Sequence, residues 1–339
     1  MSGINKIQHG NTKGRNIAEI SKILMEKGRK SIDIARHFIL EENIKSLEAR
    51  EALRYYVNNC LSYTPPAFLS LASETIKGKA EKTAFIGAAI TMFVGAIDIH
   101  DDIIDQSDIK NFGLTVYGKF GNSIALLAGD ALLFEGFSML NEAIRHLHIK
   151  DAARIVNIIK TTFLEMGDAH ALEVRQKGNL DIDPETYFHI IEKKAASIEA
   201  YTTIGGIFRN GNSKEIQALT CYGRNWGILS TIRNDFIDIF ERDELKNRMV
   251  NEVLPLPVLY TFKDKAAKKK ILNILMKTRL SERDLNTIVD MCFESKHVKN
   301  LKAQMEDLIV KTINKMSVLR ESEAKNVLIQ FISGMTEDL

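Results

Sequence analysis

The 339-residue chain has few of the residues that interrupt helices or cross-link small folds: five prolines and three cysteines. Cys60, Cys221 and Cys292 are far apart and show no CxxC spacing. This pattern argues against a disulfide scaffold or a zinc site and predicts a reducing, cytoplasmic location. With prolines so sparse, and with Leu, Ile, Ala, Glu and Lys plentiful, the composition predicts an all-α fold of long helices.

The chain also lacks an excess of charge of either sign, since 46 basic and 44 acidic residues leave a formal net charge of +2. No stripe of Lys and Arg alternates with aromatic residues, so no nucleic-acid partner is predicted. The uncharged run Phe85–Ile97 is too short to span a membrane, and no transmembrane segment is predicted. Residues 1–15 are polar and are predicted to form a flexible tail, followed by one helical domain over residues 16–339.

Apolar residues that recur three and four positions apart predict the helices. Two surface helices are expected between Ile17 and Cys60, and the next helix opens at Tyr63-Thr64-Pro65-Pro66, where proline is tolerated in a first turn. Phe85–Asp105 is predicted to be a helix buried on all sides. A loop is predicted over residues 109–121, followed by helices over 123–140 and 151–174 and a helix that begins at 183. A break at Gly205-Gly206 and 210–212 is predicted to separate that helix from the next, over 214–241. Residues 281–339 are predicted to form an amphipathic cap.

Three aspartates follow the uncharged run within five residues. Asp101 and Asp105 lie four positions apart and share a helix face, and Asp102 lies about 100° round from Asp101. Carboxylates this close in apolar surroundings cannot all stay ionised without compensation. A divalent cation such as Mg²⁺ supplies it through hard oxygen ligands. The alternative is a solvated helix end with a harmless acidic run, and the apolar residues before the aspartates favour the metal site.

A second acidic cluster repeats this spacing about 130 residues later. Asn234 and Asp238 share a helix face, Asp235 follows Asn234, and an asparagine still offers a carbonyl oxygen to a metal. Two such clusters are predicted to face each other across a bundle and to hold metal ions in its core. Metal ions held in this way suit a diphosphate, because they neutralise its charge and stabilise it as a leaving group.

Lys194 and Trp226 are further candidates for this site. Lys194 is followed by small and apolar residues and is predicted to point inward to a phosphate, whereas Lys193 is interpreted as an exposed lysine. Trp226 lies four and eight residues before Ser230 and Asn234, so the three share a helix face. If that face lines a cavity, the indole would stabilise a carbocation by cation–π attraction; ordinary core packing of Trp226 is the alternative.

Together these residues resemble the trans-polyprenyl diphosphate synthase family, whose fold is shared by class I terpene cyclases. The resemblance covers about residues 35–260. It rests on the Asp101–Asp105 motif, Lys119-Phe120-Gly121-Asn122, Leu127-Ala128-Gly129-Asp130, Gly178-Asn179-Leu180, Lys194 and Gly223-Arg224-Asn225. The resemblance implies a single-domain antiparallel helical bundle around a deep central cavity and a homodimer. It also implies that three Mg²⁺ ions assist the ionisation of an allylic diphosphate to a carbocation.

The sequence departs from this family where a second substrate, isopentenyl diphosphate, is held. The family's Gly-Gly-Lys-Arg-x-Arg-Pro segment corresponds to Cys60–Pro66, which contains no cation. A diphosphate without cationic donors binds weakly. The family's histidine before the first motif, its Arg-Arg-Gly after that motif and its Phe-Gln before the second motif correspond to Val94, to Lys110-Asn111-Phe112 and to Ser230-Thr231.

The losses are selective, because the first acidic cluster is intact and Lys194 is present. The sequence therefore predicts Mg²⁺-dependent ionisation of an allylic diphosphate, of roughly C15 to C20, followed by cyclisation or capture by water, which is a terpene synthase activity. Ala96 stands where short-chain synthases often carry a bulky aromatic, and Ala96 and Ile97 are predicted to set the cavity depth. The predicted cavity residues are Val94, Ala96, Ile97, Trp226, Ser230 and Thr231.

Two other functions stay open. A chain-elongating synthase of the farnesyl or geranylgeranyl type would need a rebuilt isopentenyl site, for which Lys110, Lys246 and Arg248 are the candidates; Lys246 is predicted to bind diphosphate. A non-catalytic regulatory subunit, paired with an active synthase, would explain the lost cations. The retained aspartates of the first cluster speak against such a subunit, since burying acids without a use is costly.

Overall fold

The structure, a computed structural model, describes residues 14–77, 83–110, 113–337 and 339, without the side chains of residues 14–18. About 80% of the described residues are helical, which confirms the predicted all-α fold. Residues 1–13 of the predicted flexible tail lie outside the described residues, and Gly14 and Arg15 open the first helix. Asn111 and Phe112, which correspond to part of the family's Arg-Arg-Gly, also lie outside them.

The described residues form fifteen α-helices and one two-stranded hairpin. The helices are α1 Gly14–Glu41, α2 Leu47–Asn59, α3 Thr64–Ile76, α4 Ala84–Ile104, α5 Val116–Ile144, α6 Ile149–Arg175, α7 Pro184–Lys194, α8 Ala196–Phe208, α9 Ser213–Asp238, α10 Arg242–Asn251, α11 Leu256–Thr261, α12 Lys265–Leu275, α13 Glu282–Glu294, α14 Lys296–Lys315 and α15 Glu323–Ser333. The antiparallel strands are β1 Ile109–Lys110 and β2 Gly113–Leu114.

The chain divides into two compact units. Unit 1 contains the residues up to Ile158, with Tyr201–Leu219 and Val318–Val327. Unit 2 contains Ile159–Ala200, Thr220–Ser317 and Leu328–Leu339. One domain over residues 16–339 stays a prediction.

Helix α4 is the core helix of unit 1 and packs against α1, α3 and α5. Its inner residues, such as Ile86, Ile90 and Met92, are almost fully buried, because nearly every side chain from Ala84 to Ala96 is apolar. Phe85 is 52% exposed, so the helix is not buried on all sides as predicted. By length and composition alone α4 and α5 would also be long enough to cross a membrane, and 72% of the apolar window in α4 is buried within the protein.

The predicted loop over residues 109–121 is wrong in part, because its described residues form the two strands and the first turns of α5; the helical geometry does break at Gly121, where the loop is predicted to end. Thr115 begins the helix: its side chain accepts a hydrogen bond from the Gly118 N–H at 2.9 Å, which satisfies a free donor of the first turn. Gly121 has φ +77°, a left-handed conformation that glycine adopts without a Cβ clash, and kinks α5 at this point. The glycines that suggested a loop therefore shape a helix.

The two glycines predicted to break the chain at 205–206 lie inside α8. A Cβ on Gly205 would lie only 2.6 Å from the carbonyl oxygen of Leu69 and 3.2 Å from the backbone nitrogen of Ser73. The position therefore needs glycine, because the part of α8 that lies in unit 1 closely approaches α3 of the same unit. A glycine in this setting does not interrupt the helix.

Gly205→Ala is expected to lower the free energy of unfolding by about 1–3 kcal/mol, because the added methyl group overpacks a backbone contact. The matched control is Gly167→Ala on exposed α6, where an added Cβ meets nothing within 4 Å. That change should raise stability by about 1 kcal/mol through helix propensity alone. Urea denaturation measures both, and equal effects of the two substitutions would contradict the packing explanation.

Candidate active site

The first acidic cluster lies where α4 ends, in unit 1. Asp101 and Asp102 occupy its last turn, and the Asp105 N–H closes the helix on the carbonyl of Asp101 at 2.8 Å. Lys110 of β1 reaches this cluster: its Nζ lies 2.5 Å from Asp102 Oδ1 and 3.8 Å from Asp101 Oδ2. One turn earlier on the same helix, Asp98 accepts a hydrogen bond from the Tyr56 hydroxyl at 3.5 Å.

Among the described side chains of this cluster, the three carboxylates of Asp98, Asp101 and Asp102 outnumber the ammonium of Lys110. Burial raises the pKa of Asp102 to about 6, and Lys110 only partly opposes this effect. Burial likewise raises the pKa of Asp98. For Lys110 burial alone would lower the pKa, yet the three carboxylates raise it above its ordinary value. The pKa of Lys110 is raised despite its burial, which indicates that negative charge predominates around its ammonium.

A short hairpin holds Lys110 in this place. Ile109 pairs with Leu114 and Lys110 with Gly113. Beside it, the Tyr55 hydroxyl donates to the carbonyl of Leu114 at 2.7 Å. The side chain of Lys110 is 43% exposed, whereas that of Asp102 is 9% exposed. The Lys110 ammonium therefore lies near solvent and can move away from Asp102.

The donor set of this cluster fits a divalent cation. Carboxylate oxygens are the ligands that Mg²⁺ prefers, and Asp101 and Asp102 lie on adjacent positions of one helix end. A divalent cation would supply positive charge to these carboxylates beyond that of the Lys110 ammonium. No ready-made group of three or more acidic, His or Cys ligands occurs among the described residues, so metal binding would require these side chains to rearrange.

Asp102→Asn is expected to change how stability depends on pH in the metal-free protein. The pKa of Asp102 is raised from 3.8 to about 6 in the fold, so protonation stabilises the fold fully below pH 3.8, and this contribution is lost as the pH rises through about 6. Asparagine has no such loss. The melting temperature of the variant relative to the parent should therefore be higher at about pH 7.5 than at about pH 4. Calorimetry in a chelator tests this, and a pH-independent difference would contradict it.

The second acidic cluster lies at the end of α9, in unit 2, and a buried arginine closes it. Arg248 Nη1 donates to Asp235 Oδ1 and to Asp238 Oδ2, both at 2.7 Å. The other Asp235 oxygen accepts the Leu256 N–H at 2.8 Å. Burial raises the pKa of Asp235 and Arg248 opposes that rise. The helical placement of Asn234, Asp235 and Asp238 agrees with the prediction, but this geometry counts against Asp235 as a metal ligand.

The lysines predicted to bind phosphate already have protein partners. Lys194 forms an ion pair with Glu173 of α6. Lys246 donates to the backbone carbonyls of Leu275 and Lys277, where α12 ends. The ammonium of Lys193, interpreted from sequence as exposed, lies 2.7 Å from Asp168 and is half-buried. Phosphate binding by Lys194 and Lys246 stays a prediction, and it would require the Lys194 ion pair and the Lys246 carbonyl contacts to open.

The predicted cavity residues lie on two helices. Val94 and Ala96 of α4 are buried and Ile97 is half-buried, in unit 1. In unit 2, Trp226 is 6% exposed, and the hydroxyls of Ser230 and Thr231 each donate to the Gly227 carbonyl at 3.0 Å. A groove of 350 Å³ in the described part of unit 2 is lined by other residues, of α6 and α7. A carbocation-stabilising role for Trp226 stays a prediction.

Three residues that contact the acidic clusters or belong to them are not among the predicted site residues: Tyr56, Asp98 and Tyr187. Asp98 carried a signal, because it lies three and four residues before Asp101 and Asp102 and so shares their helix face. Tyr56 and Tyr187 carried none, since their contacts with Asp98 and Arg248 join residues 42 and 61 positions apart. Such pairings depend on how helices pack and not on local spacing.

Comparisons with known proteins agree with this architecture. The chain matches the family described as polyprenyl synthetase over residues 48–292. It is 28% identical over 175 residues to the geranylgeranyl diphosphate synthase of Sulfolobus acidocaldarius, covering 51% of this chain and 53% of that protein. It is also 28% identical over 302 residues to the geranylgeranyl diphosphate synthase of Methanosarcina mazei, covering 85% of this chain and 89% of that protein. The chain thus spans about half the length of the first relative and most of the second.

A crystal structure of geranylgeranyl pyrophosphate synthetase from Pyrococcus horikoshii has a TM-score of 0.83 to this chain. The alignment covers 95% of this chain and 99% of that one. The sequences are 23% identical, so the likeness establishes a common fold and nothing finer.

Proposed function

Because this chain belongs to the polyprenyl synthetase family, we propose that it is a Mg²⁺-dependent prenyltransferase that elongates an allylic diphosphate with isopentenyl diphosphate. The observation that carries the proposal is the acidic cluster Asp98, Asp101 and Asp102 with its surplus of negative charge at the end of α4. The two relatives named geranylgeranyl diphosphate synthases support a short-chain product of that type. Elongation therefore takes precedence over cyclisation or water capture.

The residues of α4 and β1 have separate tasks in this proposal. Mg²⁺ bound at the cluster would neutralise the diphosphate and stabilise it as a leaving group. Asp101 and Asp102 would hold the cation, and Asp105, which ends α4, would complete the predicted ligand set. Lys110 would leave Asp102 when the cation arrives, and its half-exposed ammonium is then available to a phosphate oxygen. Val94, Ala96 and Ile97 precede the aspartates on α4 and would contact the first part of the prenyl chain.

Ionisation of one allylic substrate without a condensing partner is the second candidate. Its specific support is the segment Cys60–Pro66, which contains no Lys or Arg. The residues that would have to replace those cations are engaged elsewhere: Lys246 on backbone carbonyls and Arg248 on Asp235 and Asp238. The fate of the carbocation would then be cyclisation or capture by water.

One product assay separates the two candidates. The purified protein is incubated with Mg²⁺ and dimethylallyl, geranyl or farnesyl diphosphate, each with and without labelled isopentenyl diphosphate. Elongation gives labelled, longer prenyl diphosphates only when both substrates are present. A hydrocarbon or alcohol from one allylic diphosphate alone would favour the second candidate. Absence of turnover under every condition, with a chelator control matching the Mg²⁺ samples, would overturn both and favour a non-catalytic subunit.

The predicted homodimer has support from an exposed apolar face of α5. Leu126, Phe134 and Phe137 are 47%, 74% and 44% exposed and lie within about 80° of one another around the helix. Contiguous exposed apolar side chains mark interaction surfaces. Assembly with an active synthase as a heteromer stays a prediction.

Phe134→Asp is therefore expected to convert a dimer into a monomer, because a charge on this face opposes burial. Sedimentation velocity measures the change. Met276→Asp is the control: Met276, at the end of α12, is 65% exposed, and its substitution should leave the dimer intact. A monomeric parent protein would contradict the assignment of this face.

A further inference from the structure

The second acidic cluster differs from the first in that it already contains a fixed cation. Arg248, on α10, is 5% exposed and uses three nitrogens for four hydrogen bonds. Nη1 donates to the carboxylates of Asp235 and Asp238. Nη2 donates to the Tyr187 hydroxyl at 2.7 Å, and Nε donates to the Val253 carbonyl at 2.8 Å. The planar guanidinium is thus held in one orientation by α7, α9 and the segment before α11.

Asp235 has both carboxylate oxygens committed. Oδ1 accepts from Arg248, Oδ2 accepts from the Leu256 N–H at 2.8 Å, and the residue is 2% exposed. Asp238 has Oδ2 on the same guanidinium, and its side chain is 14% exposed. A metal ion at Asp235 would lie beside the Arg248 guanidinium, which repels it as a like charge. Displacing that guanidinium is strongly unfavourable, because it would leave a buried Arg without its charged partners.

The first cluster offers the opposite conditions. Its cation, Lys110, comes from a two-stranded hairpin, is 43% exposed and makes its closest contact with Asp102. A lysine ammonium on a flexible stem moves into water at little cost. Among the described side chains, three carboxylates there face the Lys110 ammonium, which is free to move into water. Three carboxylates, of Asp235, Asp238 and Glu252, also lie around Arg248, but the Arg248 side chain is 7% exposed and its guanidinium is held by four hydrogen bonds.

We propose that Asn234, Asp235 and Asp238 do not bind metal in this chain. The Arg248 guanidinium is their permanent counter-ion, and divalent cations bind through the α4 cluster alone. The inference rests on the proposed function only in taking a divalent cation and a diphosphate as the ligands. It departs from the three Mg²⁺ ions that the family resemblance implies, because both carboxylates of the second donor set already pair with the protein's own cation.

Mn²⁺ binding tests this inference without any turnover. The free-Mn²⁺ electron paramagnetic resonance signal is measured during titration of the full chain, with and without inorganic diphosphate. Asn234→Ala and Asp238→Asn are expected to leave the number of bound ions unchanged and the affinity within about twofold of the parent. Asp101→Asn is expected to weaken binding at least about tenfold. Asn234→Ala leaves the four hydrogen bonds of Arg248 in place, so it keeps the test valid if Asp238→Asn fails to fold.

The outcomes separate this inference from the proposed function. Loss of a bound Mn²⁺ ion in Asn234→Ala or Asp238→Asn, with the α4 site unchanged, would overturn the inference and leave the proposed function standing. A parent protein that binds no Mn²⁺, with or without diphosphate, would overturn both. Unchanged binding in Asp101→Asn would overturn the assignment of the site to α4.

Discussion

Asp101→Asn is expected to lower the rate of allylic diphosphate turnover about a thousandfold at saturating Mg²⁺, since a bound metal supplies several kcal/mol of charge stabilisation. The substitution keeps the side-chain shape and removes one negative charge from the cluster that faces Lys110. Initial rates of diphosphate release, with farnesyl diphosphate and isopentenyl diphosphate as substrates, measure the effect. The fold should be retained, because the Asp101 side chain is 26% exposed.

Asp108→Asn is the matched control for this variant. Asp108 is exposed, lies seven residues further along the chain, and contributes its backbone carbonyl to the Thr115 N–H at 2.9 Å. Its charge is removed in the same way, and the rate should stay within about twofold of the parent. Equal rates for the two variants would contradict a specific role of the α4 cluster.

Arg248→Met is expected to lower the free energy of unfolding by about 3–5 kcal/mol. The change leaves Asp235 buried, 2% exposed, without its charged partner, and it removes the donor to Tyr187. Urea denaturation followed by circular dichroism measures the loss. This effect on stability is separate from metal binding and requires no substrate.

Arg242→Met, on the same helix α10, is the matched control. Arg242 has a side chain 44% exposed and an ion contact to Glu282 at 3.5 Å, and surface pairs of this kind contribute about 0–1 kcal/mol. If Arg248→Met destabilised the protein no more than Arg242→Met, the buried ion pairs of Arg248 would contribute little to stability. Asp235 would then be accessible to other cations.

The sequence was sufficient for the family and for the helix that carries the first cluster. The match to polyprenyl synthetase over residues 48–292 confirms the family that was predicted from the aspartate motifs and their flanking segments. Helix α4 was predictable because a long apolar run followed by acids has no competing interpretation as a strand. The starts of α3 and α7 were likewise predictable, since Pro65 and Asp183 give local signals for a first turn and an N-cap.

The glycines predicted to break helices have different outcomes. Gly121 does interrupt the helical geometry of α5, whereas Gly205 lies inside α8 and allows close packing. Gly121 kinks α5, and Gly205 lets α8 approach the carbonyl of Leu69. Local composition does not distinguish a glycine that ends a helix from one that allows a contact, because that contact is with a distant segment.

The counter-ions of both acidic clusters were also beyond local reasoning. Lys110 and Arg248 were considered as substitutes for the lost isopentenyl cations, but the structure places them on Asp102 and on Asp235. The absence of cations in Cys60–Pro66, compared with the family pattern, favours cyclisation. The names of the two relatives favour elongation instead. Whether isopentenyl diphosphate is used is therefore decided by the product assay and not by the missing cations.

The most direct measurement is anomalous diffraction at the manganese edge from crystals grown with Mn²⁺ and inorganic diphosphate. Anomalous peaks are expected at carboxylate oxygens of Asp101 and its neighbours on α4, with Lys110 displaced from Asp102. No peak is expected at Asp235 or Asp238, where Arg248 keeps its hydrogen bonds. A peak at Asp238, or the absence of any peak at Asp101, would contradict the assignment of the metal site to α4.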